Sequence, residues 1–229
     1  AETLAFSGMY GGFTVLAQWL YTVALGRMTV SVCAMIYSFG FIIPTVFGTV
    51  VWRENVGFFK IFSVLFCIVT IVLSSVSSGE NSKKTDFRAV LPLIISMAAW
   101  GGLGVVQKLQ QKSACSSQTG IFLFAAFLLA GVIFVIAALT AKKAPVPPPK
   151  NSAESYISVL TVGAAMAAAN TANTLLAGRL PSVIAFPVTN VGVILASLLV
   201  STLFLGEKIT KKQIAAVCTG ITAVIMFNF

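Results

Sequence analysis

The stretch Thr119–Ala141 reads TGIFLFAAFLLAGVIFVIAALTA, a run of 23 residues without a single charge. At 1.5 Å per residue a helix of this length reaches about 34 Å. A bilayer core of about 30 Å is crossed by roughly 20 apolar residues in a helix, so this stretch predicts a membrane span. A membrane β-strand would be about 10 residues long with alternating polarity, and this run has neither property.

Working outward, seven further apolar segments appear at 4–25, 30–52, 57–77, 89–107, 156–177, 183–205 and 211–228, giving eight spans. Turn or charge clusters separate them: Gly26-Arg27, Arg53-Glu54-Asn55, Ser77-Ser78-Gly79-Glu80 and Gly206-Glu207-Lys208. The Pro-rich stretch 142–154 favours an extended connection outside the membrane. Pro44 falls inside the second span and Pro187 near the start of the seventh, where each removes a backbone donor and can kink its helix.

Composition agrees with the spans. The 229 residues are 58% hydrophobic and 9% charged, with a mean hydropathy of +0.97. A soluble domain carries roughly a quarter charged residues to face water, so the exterior here must face lipid. The net charge of +9, from 15 Lys and Arg against 6 Asp and Glu, is scattered over short loops. That distribution fits attraction to anionic headgroups and does not fit nucleic acid, which needs basic residues along one face. Cys33, Cys67, Cys115 and Cys218 form no close pair, and the chain has no His. They read as small apolar fillers, with no metal and no cofactor implied.

An internal repeat organises the spans. Gly26-Arg27 meets Gly178-Arg179 at a shift of 178 − 26 = 152, and Gly11 meets Gly163, Thr22 Thr174, Gly40 Gly192 and Ile42 Ile194 at that same shift. One insertion later Glu54 meets Glu207, Ile61 Ile214, Val64 Val217 and Ile68 Ile221 at a shift of 153. The first span thereby falls on the sixth, five spans along. Five is odd, so the copies run in opposite directions through the membrane. Inverted repeats that rock about a central site are the architecture of secondary transporters. The second copy has five spans and the first has three, which predicts two helices ahead of Ala1, in a stretch of about 60 residues. The expected division is 1–78 for the last three helices of repeat one, 79–88 as linker and 89–229 for repeat two.

The closing stretch Pro187-Val188-Thr189 through Leu203-Phe204-Leu205-Gly206-Glu207-Lys208-Ile209-Thr210, followed by Gln213-Ile214-Ala215-Ala216 and Gly220-Ile221, resembles the EamA family of the drug/metabolite transporter superfamily. Ile43-Pro44 and Trp52-Arg53-Glu54 resemble the corresponding part of the family's first half. The resemblance implies an all-α membrane bundle of two inverted five-helix repeats that moves small metabolites.

Polar groups in a bilayer are costly unless paired, so those inside spans are the candidates for a site. They are Gln18, Trp19 and Tyr21 in the first span, Tyr37 and Ser38 in the second, and Trp100 and Gln107 in the fourth. The sixth adds Asn170, Asn173 and Thr174, and the seventh Thr189 and Asn190. The repeat maps Gln18 onto Asn170, Tyr21 onto Asn173, Tyr37 onto Thr189 and Ser38 onto Asn190. The opposing expectation for such residues is interhelical hydrogen bonding, with no part in a cavity. Glu54 and Glu207 sit at span ends, where a carboxylate meets the unpaired N–H groups of the following helix.

No charge lies well inside a span, which favours a neutral or zwitterionic substrate over an anion. It also leaves an enzyme without a nucleophile–base pair and favours a solute carrier in the cell membrane. A non-transporting partner subunit is the alternative. Basic residues count ten on one side and five on the other, placing the ten in the cytoplasm and the C-terminus outside. The family resemblance implies a cytoplasmic C-terminus instead.

Overall fold

A computed structural model describes residues 2–28, 30–54, 57–76, 90–140, 153–205 and 211–226. Among the described residues nine α-helices follow one another: α1 Glu2–Leu25, α2 Val30–Ser38, α3 Ile42–Val51, α4 Phe58–Val76, α5 Val90–Lys112, α6 Thr119–Thr140, α7 Ala153–Arg179, α8 Ser182–Leu205 and α9 Lys211–Met226. They correspond in order to the eight expected spans, the second being divided into α2 and α3. The 79–88 and Pro-rich linkers and the Gly206-Glu207 turn lie outside the described residues.

Among the described residues four helical stretches are long and apolar enough to cross a membrane: Val32–Val51, Val90–Lys112, Ser116–Thr140 and Tyr156–Arg179. Three shorter apolar helices, Phe58–Leu73, Ser182–Ala196 and Ile214–Met226, accompany them. α1 has the length at 24 residues, but its Glu, Gln, Ser, Thr and Gly residues keep it out of the most apolar group. The chain is a helical membrane bundle.

The division of the second span follows from Pro44. A 3₁₀ turn at Phe39–Phe41 joins α2 to α3. Pro44 offers no N–H to the Gly40 carbonyl four residues back, and its ring crowds that carbonyl. The Gly40 carbonyl faces α5 instead, and a Cβ added at Gly101 would lie 2.5 Å from it. Only glycine fits there. Pro187, by contrast, sits inside a continuous α8.

Packing is divided between two principal apolar clusters. One holds Phe41, Cys67, Ile71, Ala177, Phe186, Val191 and Ala223. The other gathers Tyr10, Leu103, Val106, Phe122, Leu123 and Ala126 from α1, α5 and α6. Serine hydroxyls help clamp the second group: Ser7 Oγ donates to Phe122 O at 2.9 Å and Ser96 Oγ to Ala17 O at 2.7 Å. Across the bundle Thr70 and Thr219 join α4 to α9 through their hydroxyls at 2.9 Å. Such bonds between membrane helices contribute roughly 0.6–2 kcal/mol each.

Candidate functional site

Between the two clusters lies a cavity of about 140 Å³. Phe41 and Phe186 of the first cluster and Tyr10 and Leu103 of the second are among its walls. Its size is close to that of an apolar cavity of about 150 Å³ that accommodates benzene, so it suits a small molecule. α5 presents Trp100, Leu103, Gly104 and Gln107, the i, i+3, i+4, i+7 spacing of a single helix face. Gly40, Phe41 and Pro44 face it from the broken span, Asn170, Asn173 and Leu176 from α7, and Phe186, Thr189 and Asn190 from α8. No formal charge is among these residues.

A hydrogen-bonded chain crosses one wall. Gln107 Nε2 donates to the Tyr10 hydroxyl at 3.2 Å, and that hydroxyl donates to Asn170 Oδ1 at 2.8 Å. Three helices, α5, α1 and α7, are thereby tied together beside the cavity. Thr189 Oγ1 donates back to Ala185 O at 2.9 Å, and Asn190 Nδ2 to Phe186 O at 3.2 Å.

A pair of charges follows the cavity-lining Gln107 on α5. Next in sequence to Gln107, Lys108 places its Nζ 3.1 Å from Glu54 Oε1, with side-chain exposures of 4% and 11%. Lys108 also donates to Leu180 O at 2.5 Å. Glu54 accepts the Ser182 backbone N–H on Oε2 at 2.5 Å, at the very start of α8. The carboxylate thus meets helix N–H groups, but those of α8 and not of α4, the helix that follows it in sequence. Arg53 makes this possible by adopting a left-handed φ of 50°, which turns the chain back over α3. The Glu54 N–H then bonds Gly48 O at 3.3 Å. Gly48 leaves the required space, since a Cβ there would lie 2.5 Å from Ser182 Cβ. Trp52 adds an aromatic face 5.9 Å from Lys108 and 4.8 Å from Lys112.

Six of the sequence candidates line the cavity together: Trp100, Gln107, Asn170, Asn173, Thr189 and Asn190. The other six stand away from it. Trp19 is 50% exposed on the outside of α1. Thr174 is fully buried and donates to Asn170 O within its own helix, and Ser38 likewise donates to Ala34 O. Tyr21 meets Tyr37 with tilted rings 4.6 Å apart and Tyr37 meets Trp100 likewise at 4.9 Å, so both sit behind the cavity's Trp100 wall. Gln18 is half-buried on α1, a helix whose contribution to the lining is Tyr10. Glu207 lies outside the described residues.

Two participants escaped the sequence reading. The sequence candidates do not include Tyr10, although a Tyr within a span carries the same polar signal as Tyr21. The expected fourth span ends at 107, just short of Lys108. α5 continues to Lys112, and Lys108 is a buried cation inside it, which corrects the expectation of charge-free spans. Its spacing from Gln107 gave no sign that Glu54, 54 residues earlier, would neutralise it.

The space between these membrane helices is thus polar, uncharged and ligand-sized. The chain belongs to the EamA-like transporter family, whose model matches residues 87–229, more than half of its length, and it is a transporter of the drug/metabolite type. No curated protein matches the sequence. A crystal structure of a protein with 11% sequence identity superposes on the whole chain, over 78% of its own chain, with a TM-score of 0.79. That likeness concerns the fold alone.

Proposed function

We propose that this chain is a secondary transporter of the cell membrane, moving a small neutral or zwitterionic metabolite by alternating access. The observation that carries the reading is the cavity. Amide, hydroxyl and aromatic groups from five spans converge there without a formal charge. A strongly anionic solute would call for fixed positive charge in the wall. Among the described residues the buried cation nearby is Lys108, and it is already neutralised by Glu54.

We also read α1–α4 and α7–α9 as inverted copies with repeat boundaries at 1–78 and 89–229. Equivalent helices pair with each other, α3 with α8 and α4 with α9. A two-fold axis in the membrane plane maps each such pair onto itself. The Lys108–Glu54 cluster joins the end of α3 to the α7–α8 junction. In this reading it is a contact that opens when the copies rock.

Counterflow in proteoliposomes tests the function. Vesicles loaded with an unlabelled metabolite should accumulate the labelled form against its gradient for at least one neutral or zwitterionic compound. Absence of counterflow across a broad panel, with folded protein confirmed in the vesicles, contradicts the reading.

A further inference from the structure

We propose that Tyr37 binds the solute in the opposite-facing state of the carrier, its hydroxyl uncovered as the Trp100 ring moves aside. This rests on the transport and repeat readings above and names a solute contact of the same site in its second state.

The Tyr37 hydroxyl has no use in the present arrangement. Its oxygen is buried, and among the described residues no hydrogen-bond partner reaches it. A buried polar group left unpaired is costly, most of all between membrane helices, and asks for a reason. The neighbours are rings: Tyr21 at 4.6 Å and Trp100 at 4.9 Å from the Tyr37 ring. Trp100 lines the cavity and Tyr37 does not. The Trp100 ring thus stands between the hydroxyl and the cavity.

The repeat supplies the reason. At the shift of 152, Tyr37 falls on Thr189 and Tyr21 on Asn173, and both Thr189 and Asn173 line the cavity. Equivalent positions therefore hold two arrangements, open to the cavity in one copy and screened by Trp100 in the other. If inverted copies exchange arrangements, the same kind of cavity opens to the opposite side. That exchange brings Tyr37 to the solute. A hinge lies next to it. Tyr37 stands two residues before the 3₁₀ turn Phe39–Phe41, and a 3₁₀ stretch inside a helix often marks a functional hinge. Trp100 rests on that same turn, since a Cβ added at Gly40 would lie 2.8 Å from Trp100 Cδ1. Bending there shifts the ring and the tyrosine relative to each other. Once uncovered, the hydroxyl can donate to a solute oxygen or accept a solute N–H, both present on neutral and zwitterionic metabolites. The solute then supplies the bond that the present arrangement lacks, which favours the second state.

Two measurements on the full-length protein test this. Tyr37→Phe removes the oxygen alone. With no bond to lose, the variant should melt at or above the wild-type temperature. Tyr10→Phe, whose hydroxyl bonds both Gln107 and Asn170, should melt below it. The second measurement is proteoliposome counterflow with a panel of labelled neutral amino acids, sugars and polyols. For the solute that the wild type carries, Tyr37→Phe should raise the half-saturation concentration at least about fivefold. A Tyr37→Phe variant that melts below wild type, or one with unchanged half-saturation, overturns the proposal. Wild-type counterflow with unchanged half-saturation in the variant removes the Tyr37 contact and leaves the carrier. Absence of counterflow by folded wild-type protein removes the carrier reading, and the Tyr37 contact falls with it.

Discussion

Lys108 and Glu54 form a buried ion pair, Nζ to Oε1 3.1 Å, that fastens α5 to the turn after α3. The same carboxylate holds the first N–H of α8, and the same ammonium holds Leu180 O at the end of the α7–α8 corner. Two junctions far apart in the chain, the turn after α3 and the α7–α8 corner, therefore close with α5 on one pair of charges.

Removing either charge leaves the other buried without its partner. Lys108→Met and Glu54→Gln should each destabilise the protein by about 3–5 kcal/mol. The double replacement by apolar residues should cost less than the sum of the two. Unfolding in mixed micelles with increasing denaturing detergent measures this, and single variants within about 0.5 kcal/mol of wild type would contradict it.

The α3–α5 crossing depends on a missing side chain. A Cβ at Gly101 would stand 2.5 Å from Gly40 O and 2.7 Å from Ile43 Cβ. Gly101→Ala should therefore cost about 1–3 kcal/mol through forced backbone movement. Gly131→Ala, in the middle of α6 where a Cβ meets nothing within 4 Å, should stabilise by about 0.5–1 kcal/mol. Equal effects of the two in a thermal unfolding assay would contradict the crossing.

Arg53 holds a left-handed conformation at φ 50°, which costs a side chain about 1–2 kcal/mol and a glycine almost nothing. The Arg53→Gly variant should be as stable as wild type or gain up to about 1 kcal/mol. A loss larger than that, read by the same unfolding assay, would show that the guanidinium is needed for more than the turn.

Much of the fold was legible because bilayer thickness and helix rise leave a charge-free run such as Thr119–Ala141 one reading. The break between α2 and α3 was also announced, by Pro44. The cavity was half legible. Asn170 and Asn173 stand out as amides in an Ala-rich helix, but spacing alone did not separate them from Thr174, one position further and turned into the bundle. Nor did the repeat place the wall. Gln18, Tyr21, Tyr37 and Ser38 map onto cavity residues, yet α1 contributes Tyr10 instead, because it packs closely on α5 and α6. The ion pair was hidden for a different reason. Glu54 and Lys108 meet only once three helix ends are brought together, and nothing local records that.

Tyr10 links Gln107 to Asn170 through its hydroxyl. Tyr10→Phe should cost about 1 kcal/mol in stability, since water in the cavity can replace part of the lost bonding. Solute binding should weaken as the Asn170 amide loses its fixed orientation. Unchanged affinity for a transported solute would contradict a role for this chain in shaping the site.

Counterflow with two variants tests the location of the transport site most directly. Asn173→Phe puts a ring into the cavity, whereas Trp19→Phe alters a residue half exposed on the outer face of α1. Asn173→Phe should abolish solute counterflow at an unchanged melting temperature, and Trp19→Phe should leave it at the wild-type rate. Full counterflow by Asn173→Phe, or its loss in Trp19→Phe alone, would place the path of the solute somewhere other than this cavity.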